Sequence, residues 1–213
     1  MPEPDTDASA SATLLADDEP ALAEAVQGAR TRDHAAFEYL YQRYKALIWK
    51  RLVYFVGDKE VVYDLFQETF LRAWQKLPEM GQNVPFEWWL KRIAANIAID
   101  HLRREKKLLF LPLPGDESEN QGTSNVPSVA GPEAQLDMRE SIQQALRQIS
   151  PQHRTCVLLQ DSWGFSQREI AHMLNISDKS VSAYISRGRE QLRQVYTRLT
   201  AEPQQTMEGE TGT

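Results

Sequence analysis

The sequence predicts an all-α protein: two small helical domains joined by a flexible linker. Three observations lead there. Apolar residues recur at three- and four-residue steps through two long blocks. No apolar–polar alternation, the mark of a half-buried strand, persists over six residues anywhere. Between the blocks, residues 111–132 (LPLPGDESENQGTSNVPSVAGP) hold four Pro and three Gly among polar residues, too polar for a core and too broken for a helix.

The elements follow in order. Residues 1–27 are rich in Ala, Ser, Asp, Glu and Pro and read as a disordered acidic arm, helical only near Leu22–Val26. From Asp33, an N-cap, the residues Phe37, Leu40, Tyr41, Tyr44, Leu47, Ile48, Leu52 and Phe55 form one apolar stripe, which Gly57 ends. Asp58 caps a second helix with Val62, Leu65, Phe66, Phe70, Ala73 and Leu77 inward, stopped at Pro78. Glu79–Val84 reads as a loop. Pro85 suits the first turn of a third helix, which carries Phe86, Trp89, Leu90, Ile93, Ile97 and Leu102 on one side and ends in a basic run. The second block shows Leu136, Ile142, Leu146 and Ile149, then Ser150-Pro151 as the start of another helix, then a break at Trp163-Gly164. The predicted division is an arm over 1–27, a first domain over 28–108, an acidic linker over 109–132, a second domain over 133–200 and a disordered tail over 201–213.

Composition excludes several classes. The chain has 213 residues and a formal net charge of −6. Mean hydropathy is −0.52, and no apolar run approaches the ~20 residues of a membrane span. The N-terminal stretch has no basic or apolar region of a secretory signal. A lone Cys156 and four scattered histidines supply neither a disulfide framework nor a metal cluster, and no cofactor is expected. The expected compartment is the cytoplasm. The net charge is sorted along the chain: residues 1–27, 111–138 and 199–213 hold fifteen acids and no Lys or Arg, leaving 24 bases against 15 acids elsewhere. Two basic folded parts flanked by acidic segments suit nucleic acid.

The segment FSQREIAHMLNISDKSVSAYISRGREQL reads as a helix-turn-helix. Ser166 with Glu169 makes a capping box, Asn175-Ile176-Ser177 is the turn, and Ser177 or Asp178 caps the next helix. Val181, Ile185 and Leu192 lie on the buried side. A helix that enters the major groove needs small or polar residues near its start and arginines further along for phosphates. Lys179, Ser180, Ser182, Tyr184, Arg187 and Arg189 are the candidates here, with Tyr184 equally suited to packing on the preceding helix. In the first block, Lys91, Arg92, Arg103 and Arg104 follow the aromatics Phe86, Trp88 and Trp89. Basic side chains that track a backbone, with an aromatic surface for bases, suit single-stranded nucleic acid. Trp89 reads as core and Trp88 as the exposed one.

The stretches AFEYLYQRYKALIWKRL, GDKEVVYDLFQETFLRAWQKLP and PFEWWLKRIAANIAIDHLRREKK resemble region 2 of the sigma-70 family. SIQQALRQISPQHRTCVLLQ with the helix-turn-helix resembles region 4. Two such regions with only a linker between them resemble the extracytoplasmic-function sigma factors. The resemblance implies a promoter-specificity subunit of RNA polymerase that is not an enzyme. It places Asp64, Leu65, Gln67 and Glu68 against the clamp coiled coil of the largest polymerase subunit. It assigns Asn96 to a pocket for an extruded −10 base, with Trp88, Lys91, Arg92, Arg103 and Arg104 on the −10 element. It assigns the helix from about Asp178 to Arg193 to the −35 element. An anti-sigma factor is the further partner it implies, and Asp116, Glu117 and Glu119 of the linker would thread toward the polymerase active centre. Val61-Val62-Tyr63 departs from the acids usual ahead of the clamp motif.

Three other readings stand beside it. A stand-alone helix-turn-helix regulator has no use for residues 58–107. An enzyme lacks a nucleophile motif, and His153 with Cys156 reads as a surface residue beside a buried thiol. A decoy that only occupies an anti-sigma factor would be inactive in a promoter assay.

Overall fold

The computed structural model describes residues 19–108, 110 and 132–201. Most of the predicted arm, most of the linker with its three acids, and the tail beyond Ala201 lie outside these residues. The described residues form eight helices and no strand: α1 (Glu19–Arg30), α2 (His34–Val56), α3 (Lys59–Lys76), α4 (Phe86–Arg104), α5 (Pro132–Gln148), α6 (Pro151–Asp161), α7 (Gln167–Leu174) and α8 (Asp178–Ala201), with a 3₁₀ turn at Leu77–Glu79. They fall into two units. One is built from residues up to Lys50 and Tyr63–Ile97, the other from Arg51–Val62 and the chain from Ala98 onward. The division runs through α2, α3 and α4.

In the first unit, α1 contains the Leu22–Val26 stretch expected to be helical and extends it in both directions. Six of its twelve residues are Ala, Leu or Val, most of them strong helix formers, and Ala29 is fully buried against the rest of the unit. A Cβ on Gly28 would lie 2.9 Å from the Ala36 Cβ, so the approach of α1 to α2 requires glycine. Arg32, at φ +70°, makes the turn and reaches α3. Its guanidinium donates to the carbonyls of Trp74 (2.6 Å) and Gln75 (3.3 Å) and lies over the Trp74 ring. Those carbonyls belong to the last turn of α3, where helical acceptors lack internal partners. Asp33 caps α2, its Oδ1 accepting from the Ala35 N–H at 2.8 Å. Leu40, Tyr44 and Ile48 meet Leu65, Phe70 and Ala73 and the buried Phe86, Leu90, Ala94 and Ile97 in the core. Met80 is also buried, which anchors the predicted 79–84 loop after its 3₁₀ turn.

In the second unit, Gly57 ends α2 at φ +89° and Asp58 caps α3 through the Glu60 N–H at 2.9 Å. Ser150 caps α6, accepting from the His153 N–H, with Pro151 in the first turn. The capping box at α7 is complete: the Glu169 N–H donates to Ser166 Oγ at 3.3 Å, and the Ser166 N–H donates to Glu169 Oε2 at 2.8 Å. Asn175 closes α7 in the left-handed conformation. Ser177, the first of the two candidate caps, receives the Ser180 N–H at 3.1 Å. Helices α6, α7 and α8 close over Cys156, Val157, Leu159, Ile170, Leu174, Val181, Tyr184 and Ile185.

Candidate nucleic-acid interface

The helix-turn-helix positions its outer face through the buried one. Val181, Tyr184, Ile185 and Gly188 turn α8 inward. Lys179 and Ser182 are thereby exposed, with Ala183 and Ser186 half-buried beside them. Ser186 was missed from sequence, although it sits four residues beyond Ser182.

Three of the other predicted −35 contacts are engaged inside the protein. Tyr184 is 5% exposed, its ring edge-on to Phe110 at 5.1 Å and 5.4 Å from His153. It is a buried residue, and the rings it meets belong to α6 and to Phe110 rather than to the preceding helix α7. Arg189 donates through Nε (3.1 Å) and a terminal nitrogen (2.5 Å) to the two oxygens of Asp161. This two-point bond raises the guanidinium pKa and ties α8 to the end of α6, so Arg189 is not a free phosphate contact. The Ser180 hydroxyl is paired with the Ser177 hydroxyl at 2.8 Å. Arg187 is half-buried on the same flank of α8 as Tyr184.

His153 is half-buried rather than superficial. Its Nδ1 lies 2.9 Å from both Ser150 Oγ and Gln191 Oε1. Burial first, and the Arg187 charge after it, hold its pKa below 6.5 against the opposing effect of the Gln191 bond. Cys156 is fully buried, and burial pushes its thiol up to about 12, which leaves it unreactive at neutral pH.

On α4, Asn96 is exposed between buried Ala95 and Ile97. Its amide both donates and accepts, as a base edge requires. Arg92 lies one turn before it and stacks over the half-buried Trp88 at 5.2 Å. Lys91 is ion-paired with Glu87 on the adjacent flank. Trp89 packs on Phe86 at 5.8 Å and is half-buried, less deep than predicted. Further along, Arg103 and Arg104 are exposed; Arg103 donates to the Met173 carbonyl at 3.1 Å and lies 3.6 Å from Asp100.

On α3, Asp64 and Gln67 are exposed and Glu68 is half-buried. Leu65 is 4% exposed and belongs to the core, so it cannot touch a partner. The Thr69 hydroxyl, also buried, donates back to the Leu65 carbonyl at 2.7 Å. In place of Leu65 the face presents Tyr63 and Leu71, 55% and 57% exposed. Leu71 carried a signal in the sequence: it stands seven residues from Asp64 and four from Gln67, out of phase with the buried stripe.

Comparison with known proteins decides the family. The model for Sigma-70 region 2 matches residues 40–108, and that for Sigma-70 region 4 matches residues 139–192. The chain is 31% identical to the ECF RNA polymerase sigma factor SigW of Bacillus subtilis (strain 168), over 76% of this chain and 89% of SigW. The chain belongs to the ECF sigma factors of the sigma-70 family. It is also 30% identical to SigE of Mycolicibacterium smegmatis over 83% of this chain and 68% of SigE. Among solved structures, CnrH in complex with the cytosolic domain of CnrY shares 25% identity, with a TM-score of 0.54 over 85% of this chain and 99% of CnrH. The sigma factor RpoE of Bartonella quintana, in complex with the anti-sigma factor NepR, shares the fold at 16% identity and a TM-score of 0.52, over 76% of this chain and 96% of that one.

A sigma factor of this kind is not an enzyme. It binds core RNA polymerase and directs promoter-specific initiation at −35 and −10 elements. Residues 58–107, which a stand-alone regulator would not need, lie wholly inside the region 2 match. Among the described residues, no helix is long and apolar enough to cross a membrane.

Proposed function

We propose how this sigma factor divides its work among its surfaces. The exposed face of α3, with Asp64, Gln67 and Glu68, docks on the clamp coiled coil of the largest polymerase subunit. Asn96 captures an extruded −10 base, with Trp88, Arg92, Arg103 and Arg104 along the strand. Lys179 and Ser182 read the −35 element from the start of α8. The observation that carries this reading is Asn96: an amide side chain held out to solvent on a helix whose neighbours on both sides are core. It stands on the outer face of α4 with Arg92 and Asp100, and its amide, which both donates and accepts, suits base capture beside a basic side chain.

The protein acts in the cytoplasm, where polymerase is. CnrH and RpoE were solved with CnrY and NepR, and this chain has a partner of the same kind, which covers the polymerase- and DNA-binding faces. The test is reconstitution with core RNA polymerase and transcription from candidate upstream regions. Specific transcripts from holoenzyme but not from core are the expected result. A protein that binds core and yields no transcript from any promoter would instead be a decoy.

A further inference from the structure

The charges of α3 do not make it an electrostatic docking surface. Its sequence, KEVVYDLFQETFLRAWQK, holds three bases and three acids, a formal charge of zero. One of the acids expected to face the polymerase is already engaged: Glu68 is bonded to Arg72 at 2.5 Å, one turn along the same helix. A neutralised carboxylate adds little field at a partner several ångströms away.

What α3 does expose is apolar. Among the described residues, the large hydrophobic side chains that stand exposed are Trp49, Tyr63 and Leu71. Two of the three lie on α3, at positions 63 and 71. With Gln67 midway, they follow a four-residue step along one side of the helix. Trp49, from α2, borders the same area: its ring lies edge-on to Phe66 at 5.6 Å, and Phe66 is three residues from Tyr63. Single exposed hydrophobics need no explanation, but a row of them beside a docking face does. Aromatic and aliphatic anchors ringed by polar groups are the arrangement that supplies most binding energy at protein interfaces.

We propose that this sigma factor is held on core polymerase chiefly by an apolar ridge, Tyr63 and Leu71 with Trp49 at its margin. Asp64 and Glu68 form its polar rim, and Gln67, between the two anchors, fixes register. The occupant is the polymerase coiled coil already assigned to this face, so the inference rests on that docking reading. Its consequence is an affinity for core that depends only weakly on salt.

The experiment measures the affinity of the full-length protein for core RNA polymerase between about 0.05 and 0.5 M NaCl. The wild type, Tyr63→Ala, Leu71→Ala, Tyr63→Phe and Leu71→Met are compared, with thermal melting to verify folding. Wild-type affinity should fall less than about threefold across the salt series. Each alanine variant should bind roughly tenfold more weakly or worse at every salt. The Phe and Met variants should stay within about threefold of wild type. A tenfold or greater loss of wild-type affinity with salt, or alanine variants that bind like wild type, overturns the ridge while leaving the docking reading intact. No wild-type binding at any salt overturns the docking reading itself. A dimer of the free chain that Leu71→Ala dissociates, with core binding unaffected, assigns the ridge to self-association and also overturns the proposal.

Discussion

Replacing Gly188 with alanine sets two effects against each other, and the structure decides the sign. Gly188 lies inside α8, where alanine is favoured over glycine by about 1 kcal/mol in an open helix. A methyl group there would sit 2.7 Å from Val157 Cγ2 and 3.1 Å from both the Cβ and the carbonyl oxygen of His153. Carbon atoms rest at about 3.5–4 Å, so the neighbours must move by several tenths of an ångström or more. They are poorly placed to do so: Val157 is a buried β-branched residue, and the carbonyl belongs to the backbone of α6. Overpacking of this kind costs about 1–3 kcal/mol. The expected net effect is a loss of roughly 1–2 kcal/mol, or about 5–15 °C in the melting temperature of a unit this size. Urea and thermal unfolding followed by circular dichroism measure it. In a Val157→Ala background the penalty should shrink by about 1 kcal/mol, because the closest contact is gone while the carbonyl remains. A Gly188→Ala protein as stable as wild type, or more so, would refute the reasoning and show that α6 and α8 have room to part.

Asp161→Ala should cost under about 1 kcal/mol of stability, since the pair with Arg189 is partly exposed. It should also raise the salt slope of duplex binding by about one as Arg189 is released, and an unchanged slope would show that the arginine never reaches phosphate. His153 titrates below 6.5 in the folded chain, so its contribution is complete above that pH. As the pH falls through 6.5 toward the folded value, the unfolded chain takes up a proton that the folded one resists, and stability is lost. His153→Gln should flatten the urea midpoint between about pH 7 and 5; an unaltered slope would place the titration elsewhere. Asn96→Ala should leave core binding intact and weaken opening by about 1–3 kcal/mol at one promoter position. Permanganate reactivity of unpaired thymines reports it, and normal opening would remove Asn96 from the pocket.

Helices and their caps were legible because they depend on near neighbours. Asp33, Asp58, Ser150 and the Ser166–Glu169 box act over two or three residues, and the structure forms all four bonds. The site was legible only where it depended on one helix. Leu65 shows the conflict directly. The apolar period placed it inward, the family motif placed it outward, and the period was right, because the motif marks a helix turn rather than each side chain in it. Tyr184 and Arg189 could not be read locally. Arg189 finds its acid 28 residues away on α6, and Tyr184 is covered by His153 and Phe110, which only the fold brings near. At the end of the acidic arm the helix expected near Leu22–Val26 is present but longer, Glu19–Arg30. Its extension to Arg30 depends on tertiary contacts, through Ala29, Gly28 and a link from Arg32 to α3.

That link sets the limits of a usable fragment. The region 2 match begins at residue 40, yet a chain cut there loses Arg32, and with it the donor on the Trp74 and Gln75 carbonyls. It also loses His34 and Phe37, which flank the Trp74 ring at 4.8 and 4.9 Å. An excised domain should therefore start at Glu19. Trp74 then becomes an optical gauge of whether the amino-terminal segment is seated: with the Arg32 guanidinium withdrawn from its face, its emission should change in wavelength and yield. Any partner or protease that peels away α1 together with the Arg32 turn would announce itself in the same signal.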